Sequence, residues 1–199
     1  MSPSVAEGAL QTWLAEAATQ RQQPPHLELL AEHVLMTGVL SAMDREAATM
    51  LNGGPLRFEF WQDVVDFNGN FVHMSHRVKE ESHLIPAMRV AGVLPAHHEQ
   101  AISREHQAAK DLTLGICDGV GEGDWEQVQR LVSLYVYRMR AHMQHEESGL
   151  LLHATQLPAA ALARLRVEFD AVDAAALRGR SRGEICRLAE RITSMSASR

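Results

Sequence analysis

The chain has 199 residues, 46% hydrophobic and 22% charged, with a formal net charge of -6. That is the composition of an ordinary folded globular chain, long enough to bury a sizeable core, and its acidic balance implies no general nucleic-acid or anionic-membrane surface. It shows neither a basic-then-apolar leader nor a run of about 18 apolar residues, so no membrane span is expected and the chain reads as cytoplasmic.

Apolar residues recur at three and four along the chain, without convincing alternation, so every element is expected to be helical. A short leading helix is expected over about 5–21, with Leu10, Trp13 and Leu14 on its apolar side, broken by residues 22–25. The next runs from about 26 to 51, with Leu29, Leu30, His33, Met36, Val39, Leu40 and Met43 facing inward. Asn52-Gly53-Gly54-Pro55 ends it. A third segment spans about 56–90, lined by Phe60, Val64, Phe67, Phe71, His76, Glu80 and Leu84 and closed by Pro86 and Gly92. Another starts near Pro95 and ends near 118, with Gly119 to Gly123 as a turn. Asp124-Trp125-Glu126-Gln127 then has the form of a capping box. Its helix is expected to end near Thr155, and Pro158 opens a tail of one or two amphipathic helices. The domains are therefore 1–25, a leading helix and linker; 26–156, a helical bundle; and 157–199, a helical tail. The tail arginines alternate with acidic residues and read as a solvated face. Cys117 and Cys186 allow at most one disulfide and point to a reducing compartment.

Eleven histidines are the compositional outlier. Four of them combine with two glutamates at helical spacing: His33, His76-x-x-x-Glu80, His106 and His142-x-x-x-Glu146. Residues four apart share a helix face. Each pair can therefore aim at one point in a bundle core. Imidazole with carboxylate suits iron, zinc or manganese, and carboxylates from opposing helices can bridge two ions. His33, His76, His106 and His142 are thus expected as terminal ligands, with Glu80 and Glu146 bridging. A ferritin-like site needs Glu-x-x-His on two helices, and only Glu80-x-x-His83 is present.

The surrounding residues carry a resemblance. The run His76-Arg77-Val78-Lys79-Glu80-Glu81 with Leu84-Ile85-Pro86, then Glu105-His106, then His142-Met143-Gln144-His145-Glu146-Glu147, is similar to the motifs of the hemerythrin-like family, or HHE cation-binding domain. The match covers about residues 27–155, although Leu151-Leu152-His153 stands where that family has Leu-Phe-Pro. It implies an all-α, antiparallel four-helix bundle with a non-haem di-iron centre. The implied reactants are the small oxidants dioxygen, peroxide and nitric oxide, with no nucleic-acid or membrane partner.

Oxygen carriers of that family place His-x-x-x-His on the third helix, whereas here Ile102 precedes His106 by four and Lys110 follows it by four. The chain fits the subset lacking that ligand, which includes iron-centre repair proteins and peroxide-reactive proteins. Four histidines, two bridging glutamates and a solvent bridge would leave each iron an open position, which favours a peroxide- or oxygen-reactive enzyme over a carrier. Tyr135, Tyr137 or a spare histidine are the side chains able to fill the gap. A diatomic-ligand binding or sensing protein and an iron donor stay open as alternatives. The tail is short for a sensor's output domain, and no cysteine precedes Cys117 as in many repair proteins.

His73, His83 and His145 fall near the ligand face and read as partly exposed helix-end histidines, or else as relay or substitute ligands. His26, His97 and His98 read as solvated. Glu32, Glu81, Glu105 and Glu147 neighbour ligands and serve either as carboxylates orienting imidazoles on adjacent helices or as surface ion-pair partners. The methionines read as core filler.

Overall fold

The computed structural model describes residues 23–95 and 97–197, and within them the chain is helical with no strand. The expected leading helix over 5–21 lies outside the described residues. Helix α1 is Pro25–Leu51, with Pro25 in its first turn, where a missing N–H breaks no helical bond. Helix α2 is a continuous run over 58–91, and α3 is His98–Glu122. Helix α4 is a run over 125–154, α5 is Ala159–Ala176, and α6 is Arg182–Ala197.

The third helix is longer than its glycines suggest. Gly119 lies inside α3, where a β-carbon would meet Val128 Cγ2 at 2.9 Å. Its glycine permits close packing of α3 on α4 rather than a turn. The chain reverses instead at Gly123, which has φ 72°. Asp124 then caps α4, accepting from the Gln127 backbone N–H at 3.0 Å.

Two of the runs are not uniform. In α2, π-helical turns occupy Phe67–His76 and Glu80–Leu84, and in α4 one occupies Glu146–Leu150. Pro86 does not close α2, which continues to Ala91. The widened turn just before it replaces the regular ladder that an interior proline would break.

Helix α3 packs on α4, α4 on α1, and the start of α2 on α3, while α5 and α6 lie against both α1 and α2. Two apolar clusters result. The larger gathers Met36, Val39, Phe60, Phe67, Phe71, Val132 and Met139, joined by Ile185, Leu188 and Ile192 of α6. The smaller gathers Leu29, Leu84, Ile102 and Leu150, joined by Leu165 and Phe169 of α5. The tail thus contributes to both cores. The polar centre sits where the two clusters meet. Leu29, Leu84 and Leu150 are each about one turn from His33, Glu80 and Glu146, and on the other side Met36 and Met139 are about one turn from His33 and His142.

Candidate metal centre

Four helices each present one histidine inward. His33, His76, His106 and His142 are buried, and Glu80 and Glu146 are 0% exposed. All six residues that the spacing singled out are brought together. They form two sets, His33–His76–Glu80–Glu146 and Glu80–His106–His142–Glu146, and in each the ligand atoms lie within 4.8 Å of one another.

The carboxylates are divided between the two sets. Glu80 Oε1 lies 3.5 Å from His76 Nε2, and its Oε2 lies 3.3 Å from His106 Nε2. Glu146 Oε2 lies 3.2 Å from His33 Nε2, and its Oε1 lies 3.4 Å from His106 Nε2 and 3.1 Å from His142 Nε2. Each glutamate therefore offers one oxygen to each half. All four of these oxygens and His106 Nε2 are buried without a hydrogen-bond partner. Buried charge in that condition is costly unless a cation meets it.

The outer nitrogens fix the tautomers. His33 Nδ1 is 3.0 Å from Glu147, His76 Nδ1 is 2.8 Å from Glu32, and His106 Nδ1 and His142 Nδ1 are each 2.9 Å from Glu81 and Glu105. An ionised carboxylate can only accept, so each Nδ1 donates and each neutral ring aims an Nε2 lone pair inward. His33 Nε2 and His76 Nε2 then face each other at 3.2 Å. Two lone pairs at that distance repel unless a cation lies between them. The two sets, which have both carboxylates in common, could therefore each hold a metal ion through imidazole and oxygen donors.

In the metal-free arrangement protons take the place of that charge. Burial depresses the imidazoles, but the nearby carboxylates of Glu146, Glu80 and Glu81 outweigh it and raise His106 to about 11. His142 rises to about 9, again against burial, through Glu146 and Glu105. His33 is raised in the same way by Glu146. Glu146 is held well below the usual carboxylate range, the surrounding histidines overriding its burial.

The four outer glutamates differ. Glu81, Glu105 and Glu147 are 28–47% exposed, while Glu32 is 0% exposed. Glu32 is held by Lys79 Nζ at 2.6 Å and by Arg182. Lys79, also 0% exposed, lies 3.1 Å from Glu28 and 2.7 Å from Asp173. Arg182 reaches Glu28 at 2.7 Å and Asp173 at 3.0 Å, and Arg166 reaches Glu28 at 2.5 Å. Glu28, Glu32 and Asp173 also form a tight carboxylate set, but the ammonium and guanidinium groups already compensate it. Arg166 and Arg182 are thus not part of a solvated face, because they meet carboxylates on α1. Sequence patterning missed Lys79 and Asp173 as well. Lysine three residues after His76 lies near its helix face, and that was the available signal.

Other expectations divide. His73 is half-buried and shares a 2.8 Å hydrogen bond with Thr113, whose hydroxyl also meets buried Tyr135; burial lowers His73 to about 4. His83 pairs with Glu168 at 3.2 Å, and Tyr137 is exposed. His97 is exposed and His26 half-buried, but His98 is buried rather than solvated. Cys117 and Cys186 are both free. No helix among the described residues is long and apolar enough to cross a membrane. Comparison with protein-family models, with curated proteins and with solved structures finds no significant match.

Proposed function

We propose that this chain is a hemerythrin-like non-haem di-iron protein. In this reading α1–α4 form an antiparallel four-helix bundle, α5 and α6 cover it, and two iron ions sit between His33, His76, His106 and His142, bridged by Glu80 and Glu146. The carrying observation is the division of both carboxylates between two histidine pairs, with all four oxygens buried and unpartnered. Zinc and manganese suit the same donors. Iron adds the redox chemistry that dioxygen, peroxide and nitric oxide require, and these are the proposed reactants.

The chain's own residues set the conditions. Glu32, Glu81, Glu105 and Glu147 hold each imidazole in the ligating tautomer. The two apolar clusters exclude bulk water from both sides of the centre. Ile102 is 0% exposed among Leu84, Leu150 and Leu29, so it supplies an apolar wall where a carrier would supply a further ligand. A surface cavity of about 180 Å³, lined in part by Glu105, Ala109, Met139 and His142, borders the His142 ring and is large enough for a diatomic molecule or peroxide. These features favour a peroxide- or oxygen-reactive enzyme.

Elemental analysis with an aerobic ultraviolet–visible spectrum and a peroxide-consumption assay tests the reading. Two irons per chain, near-ultraviolet absorption and many turnovers of peroxide are expected. A reproducible single ion would sink the di-metal reading. A stable, reversible oxygen complex with peroxide left untouched would make the protein a binding protein instead.

A further inference from the structure

Histidines that the buried centre does not use are gathered beside it. His98 is the first residue of α3, His145 precedes the widened turn of α4, and His153 lies in the last turn of that run. The His98 ring centre is 5.2 Å from that of His145 and 6.0 Å from that of His153. Exposed His97 lies beyond them, its ring 4.5 Å from His98. The position of His98 depends on Gly149, where a β-carbon would fall 2.6 Å from His98 Nε2.

The nitrogens of this group are not all engaged. His145 Nδ1 donates to Glu105 at 3.1 Å, which leaves its Nε2 lone pair free. His153 Nδ1 donates to the Gly149 carbonyl at 2.8 Å, with the same result. His98 Nδ1 is buried and has no hydrogen-bond partner.

We propose that His98, His145 and His153 form a peripheral site for one divalent transition-metal ion, separate from the centre built on Glu80 and Glu146. Metal–nitrogen bonds of about 2.0–2.1 Å set the ring centres of two imidazoles on one ion about 5–6 Å apart, which is the spacing seen here. All-imidazole ligation suits zinc, copper, nickel or ferrous iron. The three residues are not among the tightly gathered sets. Binding therefore draws their nitrogens together by side-chain rotation, with water completing the coordination, and is weaker than at the six-residue centre. Glu105 accepts from both His142 and His145, so the two sites share an orienting carboxylate.

Equilibrium dialysis of the full chain against zinc, with bound metal counted by elemental analysis, tests this site. Wild type is expected to bind one more zinc per chain than the His153→Gln variant, at an affinity at least tenfold weaker than the buried ions. His98→Asn should lose the same ion. The half-buried His153 provides a variant that leaves the core intact, and His97→Ala should retain the ion. An unchanged zinc count and affinity in both His153→Gln and His98→Asn, or no weaker ion in wild type, overturns the proposal. A weak zinc that depends on His153 and His98 in a chain whose buried centre stays empty would sustain this site while defeating the di-metal reading.

Discussion

Replacing Lys79 by Met tests the buried ionic network that backs His76. The substitution nearly conserves side-chain volume, so its effect is electrostatic. Lys79, Arg166 and Arg182 supply three positive charges to Glu28, Glu32 and Asp173; Lys79 and Arg182 each touch all three carboxylates, and Lys79 does so while 0% exposed. Without it, Glu32 keeps Arg182 and the His76 ring, Glu28 keeps Arg166 and Arg182, and Asp173 keeps Arg182, so two guanidinium charges face three carboxylates. Breaking a buried pair by removing one partner costs about 3–5 kcal/mol. For a chain of this size each kcal/mol moves the melting midpoint by about 2–4 °C, so Tm should fall by roughly 6–20 °C. Thermal unfolding followed by circular dichroism at neutral pH, on metal-free protein, reads this directly. A second change, Asp173→Asn, removes one of the stranded charges and should recover part of the loss. A fall of less than about 2 °C for Lys79→Met would refute the claim that the network is uncompensated without its ammonium.

The metal-free and metal-loaded forms are expected to respond to pH in opposite directions. His106 and His142 are raised from 6.5 to about 11 and about 9, so their stabilisation is full below 6.5 and is lost as pH climbs toward those values. Glu146 is lowered from 4.5, so its contribution is present above 4.5 and is lost as pH falls below it. Metal-free protein should therefore melt highest between these two ordinary values and lose Tm from pH 7 to 10, while metal-loaded protein gains from pH 5 to 7 as protons stop competing for the ligands. Parallel slopes for the two forms would count against protons and metal occupying one place. Glu146→Ala should abolish binding of both ions in elemental analysis, because its two oxygens face opposite halves; full retention of one ion would show that Glu146 serves a single position.

Much of this was legible in the sequence because helical periodicity fixes which residues share a face. His76 with Glu80 and His142 with Glu146 come together for that reason, and Asp124 caps α4, although the Gln127 side chain donates to the Gly115 carbonyl and does not close the box. The four glutamates beside ligands also orient imidazoles on neighbouring helices, a role that their sequence positions allowed but did not distinguish from surface pairing. What escaped depends on contacts distant in the chain. Lys79 and Asp173 are 94 positions apart by their numbers, and nothing local says that one compensates the other. Gly119 was misread because glycine serves close packing as readily as turning. His98 was misread because its burial is set by the missing side chain of Gly149, on another helix.

The widened turns after Glu80 and Glu146 carry a consequence for anyone moving these motifs elsewhere. A π turn acts like one residue added to the helix, and one residue corresponds to about 100° of rotation. Upstream of Glu80, Phe60, Val64 and Phe67 face the larger cluster; downstream, Leu84, Ile85 and Met88 face the smaller one. The same change of allegiance follows Glu146, from Val136 and Met139 to Leu150 and Leu151. Each carboxylate stands where its helix passes from one cluster to the other, a passage that α1 and α3 make without a widened turn. Grafted into a uniform helix, residues 76–84 would keep the His76–Glu80 spacing, but the residues after them would be rotated by about 100° from their present direction.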